Sequence, residues 1–273
     1  MSVIGIDKEK CTNCKLCIQE CGRAYFSVNK DKEVVFNESL NTCNICGHCI
    51  AICPEDAIIT KDLDDVETFP GIDSPESIVD FDKIYKLIRA KRSIRLYKNK
   101  KVPKELIEKI FDAMRYAPSA SNARMWRYVI LSDPEKIEAL SDEIVKTNYQ
   151  YMGFQSSEQA LKYFKSIGRS IFYNAPHVIV LYYRVVEKNT VMIGLRANDA
   201  GIALTYGMLA AESLGLGTCW IGMIQGGAVP MNREILKILG IKGMVLGAFT
   251  MGYPAVKYRR TTPRPPLKIK GLD

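Results

Sequence analysis

Apolar positions along this chain repeat with a clear period in only a few segments. From Phe81 onward Ile84, Leu87 and Ile88 share one helical face. After Pro103 the set Leu106, Ile107, Ile110, Phe111 and Met114 recurs at intervals of three and four, which predicts a helix over Lys104 to Tyr116 with the proline at its start. Tyr128 to Leu131, Val178 to Tyr183 and Val245 to Met251 read as buried strands, and Asp199 to Leu214 as an apolar helix rich in Ala and Gly. Scattered strands among more numerous helices predict an α+β layout around one sheet. Residues 61–80 (KDLDDVETFPGIDSPESIVD) show no period, carry seven acids and one base, and read as a surface linker.

Composition narrows the class. The chain has 273 residues, 47% hydrophobic and 25% charged, which excludes a disordered tail, a collagen-like fibre and a coiled coil. No stretch approaches the roughly 18 consecutive apolar residues of a membrane span. The start, MSVIGIDKEKC, has no basic segment followed by an apolar one, so a cytoplasmic protein is expected. The formal charge of +8 divides unevenly, with 7 Lys+Arg against 15 Asp+Glu in residues 1–80 and 31 against 15 in residues 81–273. An acidic head on a basic body suggests two modules. Solvated lysines and a buried anionic cofactor account for the basic body, so neither nucleic acid nor a membrane is expected as partner.

The head holds eight of the nine cysteines. Cys11, Cys14, Cys17 and Cys21 form C-x2-C-x2-C-x3-C, and Cys43, Cys46, Cys49 and Cys53 repeat it, with Pro54 following. A reducing compartment argues against disulfides, and the spacing is that of metal ligation. Zinc also uses C-x2-C pairs. Residues 1–60 resemble a bacterial two-cluster ferredoxin domain in both motifs and spacing, apart from Gly22 where proline is usual. That resemblance implies a small α+β domain with two [4Fe-4S] clusters. On that resemblance one would be held by Cys11, Cys14, Cys17 and Cys53, the other by Cys43, Cys46, Cys49 and Cys21. His48 reads as a spacer near the second cluster.

Four segments of residues 81–273 bear on chemistry. Lys91-Arg92-Ser93-Ile94-Arg95 suits a phosphate or a solvated turn. Ala117 to Asn122, continuing to Trp126, either admits a flat ring or ends a helix. Leu214 to Gly222 begins like a dinucleotide fingerprint, but Trp220 replaces the third glycine and the segment ends a helix, so it is not a Rossmann loop. Gly252-Tyr253-Pro254 leads into Lys257, Arg259, Arg260 and Arg264, a second cationic group.

Taken in order, these segments make residues 81–273, about 70% of the chain, resemble the nitroreductase family, whose members are homodimers with FMN at the interface. The resemblance implies that Arg92 and Ser93 meet the phosphate and ribityl chain, and that Arg95 lies near flavin N1 and O2. Ser119 and Asn122 would meet the pyrimidine edge, the backbone of Trp220, Ile221 and Gly222 would approach N5, and Arg259 and Arg260 would form a second phosphate clamp. The sequence departs from the family at Arg124, where glutamine is usual. Arg124 either faces the flavin and stabilises its anionic reduced form or points to solvent. Cys219 reads as a packing residue and His177 as structural.

The combination implies an oxidoreductase. Clusters would pass electrons to FMN, which reduces an electron-poor organic acceptor such as a nitroaromatic, a quinone or an activated alkene. NAD(P)H or an electron-donor protein are both open as the source of electrons. The other readings are an electron-transfer module serving a protein partner, with no small-molecule substrate, and a redox or flavin-binding sensor with slow chemistry. Asn148 to Ser170 carries aromatic residues that suit a flat substrate or a helix core equally.

Overall fold

The cysteine runs and the periodic body fall into different units of the computed structural model, which describes residues 2–40, 43–63, 66–71, 74–184 and 189–271. The first unit is Met1–Ser74 with Ser121–Ala123, and the second is Pro75–Ala120 with Arg124–Asp273. The division falls within the acidic segment expected as a linker, of which residues 64, 65, 72 and 73 lie outside the described residues.

In the first unit β1 (Ser2–Ile6) pairs antiparallel with β4 (Ile58–Lys61), and β2 (Phe26–Val28) with β3 (Val34–Phe36). Two short helices, α1 (Leu16–Glu20) and α2 (His48–Ile52), each follow two cysteines of a run and carry the third. The core is small. Val3, Tyr25, Phe26, Val34 and Ile58 close on Cys17 and Cys49. A core of this size contributes little by itself, so such a unit ordinarily depends on a staple such as a metal.

The second unit begins with one turn, α3 (Pro75–Ile78), and α4 (Phe81–Ala90), which Asp80 caps by accepting from Lys83 N at 2.9 Å. After α5 (Lys104–Arg115) come β5 (Trp126–Leu131), α6 (Pro134–Asn148), α7 (Ser157–Ser166), β6 (His177–Tyr183), α8 (Thr190–Ser213), β7 (Gly217–Trp220), α9 (Arg233–Leu239) and β8 (Met244–Gly252). The four strands make one antiparallel sheet in the order β5-β6-β8-β7. An antiparallel sheet between layers of helices is the α+β arrangement that the sequence predicts.

The strands divide two cores by alternation. On β6, Ile179, Leu181 and Tyr183 join α5 and α8 residues Ile110, Met114, Ala200 and Leu204. Val178 and Val180 face Leu140, Ile144 and Phe172. On β8 the alternation changes phase. Met244 and Leu246 face the first core, yet so do Phe249 and Met251, three residues on. The pairing explains this, because Leu181 opposes Gly247 while Tyr182 opposes Val245, leaving Leu246 as a bulge. Gly247 is required there, since a Cβ would press on Leu204 and the Trp220 ring.

The long helix starts earlier than its sequence pattern suggests, at Thr190 instead of Asp199, with Asn189 accepting from Val191 N and Met192 N. Its first turns remain exposed at Val191 and Leu195.

His177 is structural. It is buried, its Nε2 accepts from Val102 N at 3.0 Å, and its Nδ1 lies 2.7 Å from Ser132 Oγ. Burial, and then the Lys101 charge, lower its pKa from the ordinary 6.5. The unfolded chain therefore binds a proton at a pH where the native protein does not. Stability is full above about 6.5 and falls as the pH drops through and below that value. Both tryptophans, Trp126 and Trp220, lie in the second unit, so their fluorescence reports its unfolding. The urea midpoint should fall between pH 7.5 and 5.5, and His177→Gln should flatten that slope; an unchanged slope in the variant would assign it to another group.

Candidate functional site

The eight head cysteines recur 32 residues apart, Cys11, Cys14, Cys17 and Cys21 answering to Cys43, Cys46, Cys49 and Cys53. Their backbones repeat too. Asn13 and Ile45, Lys15 and Gly47, and Ala24 and Asp56 all have positive φ at equivalent positions. A β-branched residue such as Ile45 at φ 52 is strained by roughly 1–2 kcal/mol, and such strain persists where a loop must turn its N–H groups inward. Backbone N–H groups reach sulfur at matching places, Tyr25 N to Cys21 Sγ at 3.4 Å and Ala57 N to Cys53 Sγ at 3.3 Å.

The sulfurs sort across the repeat. Cys11, Cys14, Cys17 and Cys53 line one cavity of about 20 Å³, and Cys21, Cys43, Cys46 and Cys49 line another of about 380 Å³. Burial, then Cys11, Cys14 and Cys53, raise the Cys17 pKa. Burial, then Cys46, Cys21 and Cys43, push Cys49 up to about 12. Four thiolates so close repel one another, and the set fits a group that brings positive charge to balance them. Among the described residues no three His, Cys, Asp or Glu side chains are placed to hold a single metal ion. His48 instead pairs with Glu20, Nδ1 to Oε1 at 3.0 Å.

In the second unit the sheet edge organises the candidate flavin residues. Strand β7 is an outer strand, and its free side is covered by Ser93, bridged to Thr218, with Ile94 N donating to Thr218 O at 3.0 Å. Gly217 has no Cβ because Ile94 packs there. This places Arg92, Ser93 and Arg95 along the strand that ends in Trp220, and Ile221 continues it by donating to Ala248 O at 2.9 Å. Lys91 turns inward, its Nζ donating to Arg92 O at 2.9 Å and reaching Thr218 O at 3.4 Å. Burial lowers its pKa despite Glu212 nearby, and burial raises that of Glu212 despite Lys91 and Arg92. Arg92 Nη1 donates to Lys91 O, while Arg92 Nε and Thr218 Oγ1 are buried without a partner among the described residues. Two orphaned polar atoms beside a cationic segment fit an anionic cofactor with hydroxyls. Cys219 is buried on the same strand, as a packing residue would be.

The loop from Ala117 to Trp126 is pinned at several points. Ser119 Oγ accepts from Arg124 N at 3.0 Å, and Ala120 N donates to Asp199 Oδ1 at 3.0 Å. Within the first unit Asn122 Nδ2 donates to Asn44 O at 2.9 Å and Ile45 O at 2.7 Å, which leaves its Oδ1 as acceptor. Arg124 is exposed, as are Ser93, Arg95, Gly222, Arg259 and Arg260. The structure brings Arg92, Ser93 and Arg95 together with Trp220 and Ile221. Arg259 and Arg260 lie on the exposed tail and have no bond to that group among the described residues.

Sequence reasoning missed Thr218, Arg196 and Asp199. The latter two form a buried i,i+3 pair at 3.5 Å on α8. Two opposite charges inside an otherwise apolar helix are the signal that would have found them.

Residues 88–253 match the family described as the nitroreductase family. A putative NADH dehydrogenase/NAD(P)H nitroreductase of Methanothermobacter thermautotrophicus is 30% identical over 178 residues, covering 63% of this chain and 78% of that protein. The NAD(P)H FMN reductase of Bacillus subtilis is 27% identical over 184 residues, covering 63% and 66% respectively. Among solved structures, an FMN-bound nitroreductase of Bacteroides fragilis shares the fold, with a TM-score of 0.56, 24% identity, and coverage of 69% of this chain and 98% of that one. Among the described residues no helix is long and apolar enough to cross a membrane.

Proposed function

This chain belongs to the nitroreductase family, and from that membership together with the cysteine runs of the head we propose that it is an FMN-dependent oxidoreductase fed by two [4Fe-4S] clusters. When bound, the clusters would supply single electrons and FMN would pass them to an electron-poor organic acceptor such as a nitroaromatic, a quinone or an activated alkene. The observation that carries the cluster half of this reading is the sorting of cysteines. Three thiols of one run meet the last thiol of the other, in both directions.

The chain's own residues would hold and orient these groups. Cys11, Cys14, Cys17 and Cys53 would ligate one cluster, and Cys21, Cys43, Cys46 and Cys49 the other. Arg92 and Ser93 would bind the FMN phosphate and ribityl chain, and Arg95 would place a cation near N1 and O2. Ser119 and Asn122 Oδ1 would meet the pyrimidine edge. The backbone of Trp220, Ile221 and Gly222 would approach N5, and Arg259 and Arg260 would close on the phosphate. Large apolar side chains exposed on α4 (Phe81, Ile84, Tyr85, Ile88) and α8 (Val191, Leu195, Ile202, Tyr206) support a homodimer, since such surface is normally covered.

Anaerobic titration tests the proposal. Protein prepared without oxygen should contain iron, acid-labile sulfide and FMN, and dithionite should bleach cluster and flavin absorbance together. Adding a nitroaromatic or quinone should restore both. Reoxidation only by an acceptor protein would favour the electron-transfer reading, and a flavin that stays oxidised beside reduced iron centres would end the relay. NAD(P)H is tested as donor in the same cuvette.

A further inference from the structure

A further cavity, in the body, is lined by none of the residues assigned to FMN. It measures about 730 Å³, within the range of small-molecule sites, and opens between Tyr97–Lys101, the N-terminal half of α6 and the turn after α7. Lys98, Lys101, Lys165 and Arg169 line it, against Glu138 and Asp142. Among the described residues none of these four cations is ion-paired, and with two carboxylates against four cations the cavity wall keeps an excess of positive charge.

One wall is a braced turn. Asn174 Oδ1 accepts from Ser170 N at 3.0 Å and its Nδ2 donates to Gly168 O at 3.0 Å, while Ser170 Oγ accepts from Phe172 N at 3.2 Å. Tyr173 and Asn174 both hold positive φ to make that turn. The floor is set by a fixed tautomer. Val102 N–H can only donate, so His177 Nε2 must accept, and the ring proton resides on Nδ1. His177 Nδ1–H therefore donates to Ser132 Oγ, and the Ser132 hydroxyl keeps its own proton as a donor on the cavity wall. This dyad is wired the wrong way for a nucleophile, because the imidazole has no lone pair to accept the serine proton. It is wired correctly for binding an anion.

We propose that this cleft binds a phosphate-bearing small molecule of about nucleotide size. Lys98, Lys101, Lys165 and Arg169 engage the anionic oxygens, and Ser132 O–H donates to one of them. Glu138 and Asp142 accept from hydroxyl or amino groups at the ligand's other end.

The test uses FMN-saturated protein, so that the cofactor's own phosphate site is filled, and calorimetric titration with inorganic pyrophosphate. Citrate is the control anion. Wild-type protein should bind pyrophosphate in preference to citrate. Lys101→Ala combined with Arg169→Ala should weaken binding by roughly tenfold or more, since each removes a charge-assisted contact. Ser132→Ala should weaken it less, and Lys165→Glu, at an exposed position where folding is not at stake, should weaken it with no change in tryptophan fluorescence. No heat with wild-type protein, equal affinity in the double variant, or citrate binding as tightly as pyrophosphate would overturn the proposal.

Discussion

Replacing Cys53 together with Cys11 by alanine should halve the iron and acid-labile sulfide of anaerobically prepared protein, whereas replacing Cys53 together with Cys43 should remove nearly all of both. The contrast follows from the crossed sorting of sulfurs. Cys53 is a near neighbour in sequence of Cys49, yet it shares a cavity with Cys11, Cys14 and Cys17. Removing Cys53 and Cys11 therefore damages one site twice, and removing Cys53 and Cys43 damages two sites once each. Cys21 with Cys43 forms the mirror pair and should again cost half the iron. If each run instead closed on itself, the outcomes for the two Cys53 pairs would be exchanged. Metal binding and folding are coupled in so small a core, so the fully depleted variant should also lose protection against protease in residues 1–74.

Asp199→Ala should destabilise the second unit by about 3–5 kcal/mol, the usual effect of leaving one member of a buried ion pair alone. The side chains of Arg196 and Asp199 are only 12% and 9% exposed. Arg196 lies over the Tyr183 ring, 5.4 Å from its centroid, and Tyr183 OH donates to Met125 Sδ at 3.0 Å. Asp199 in turn accepts from Ala120 N. A closed chain of contacts thus runs from Ala120 through α8 and β6 to Met125, clamping both flanks of the loop assigned to the flavin. Asp199→Asn keeps an oxygen for Ala120 but not the charge, and should fall between parent and alanine variant. Urea unfolding followed by tryptophan fluorescence measures the effect, and a loss below about 1 kcal/mol would show that the pair is solvated in solution. FMN affinity should fall in the same order if the clamp positions the loop.

How far the sequence discloses this structure depends on distance along the chain. Cysteine spacing is local, and the helices at Phe81 and Lys104 show one apolar face, so both are legible. The start of α8 is not, because Val191, Met192 and Ile193 are apolar without a polar face opposite; only Asn189, as a cap, marks the boundary. Helix α6 carried a similar unread signal in Asp133-Pro134, a capping residue followed by proline at the first turn. Strand β7 is built from Gly217, Thr218, Cys219 and Trp220, whose small residues suit a turn as well as a strand. The links among Val102, Ser132 and His177 join residues up to 75 positions apart and leave no trace in any local pattern.

The strap formed by Ser93 and Ile94 has a consequence beyond holding candidate ligands. It occupies hydrogen-bonding groups that β7 would otherwise offer to any passing extended chain. On the proposed assignment the same few residues would serve both as guard and as cofactor clasp. With the strap in place β7 is closed to edge-to-edge pairing, and a variant that frees it should self-associate through that bare margin.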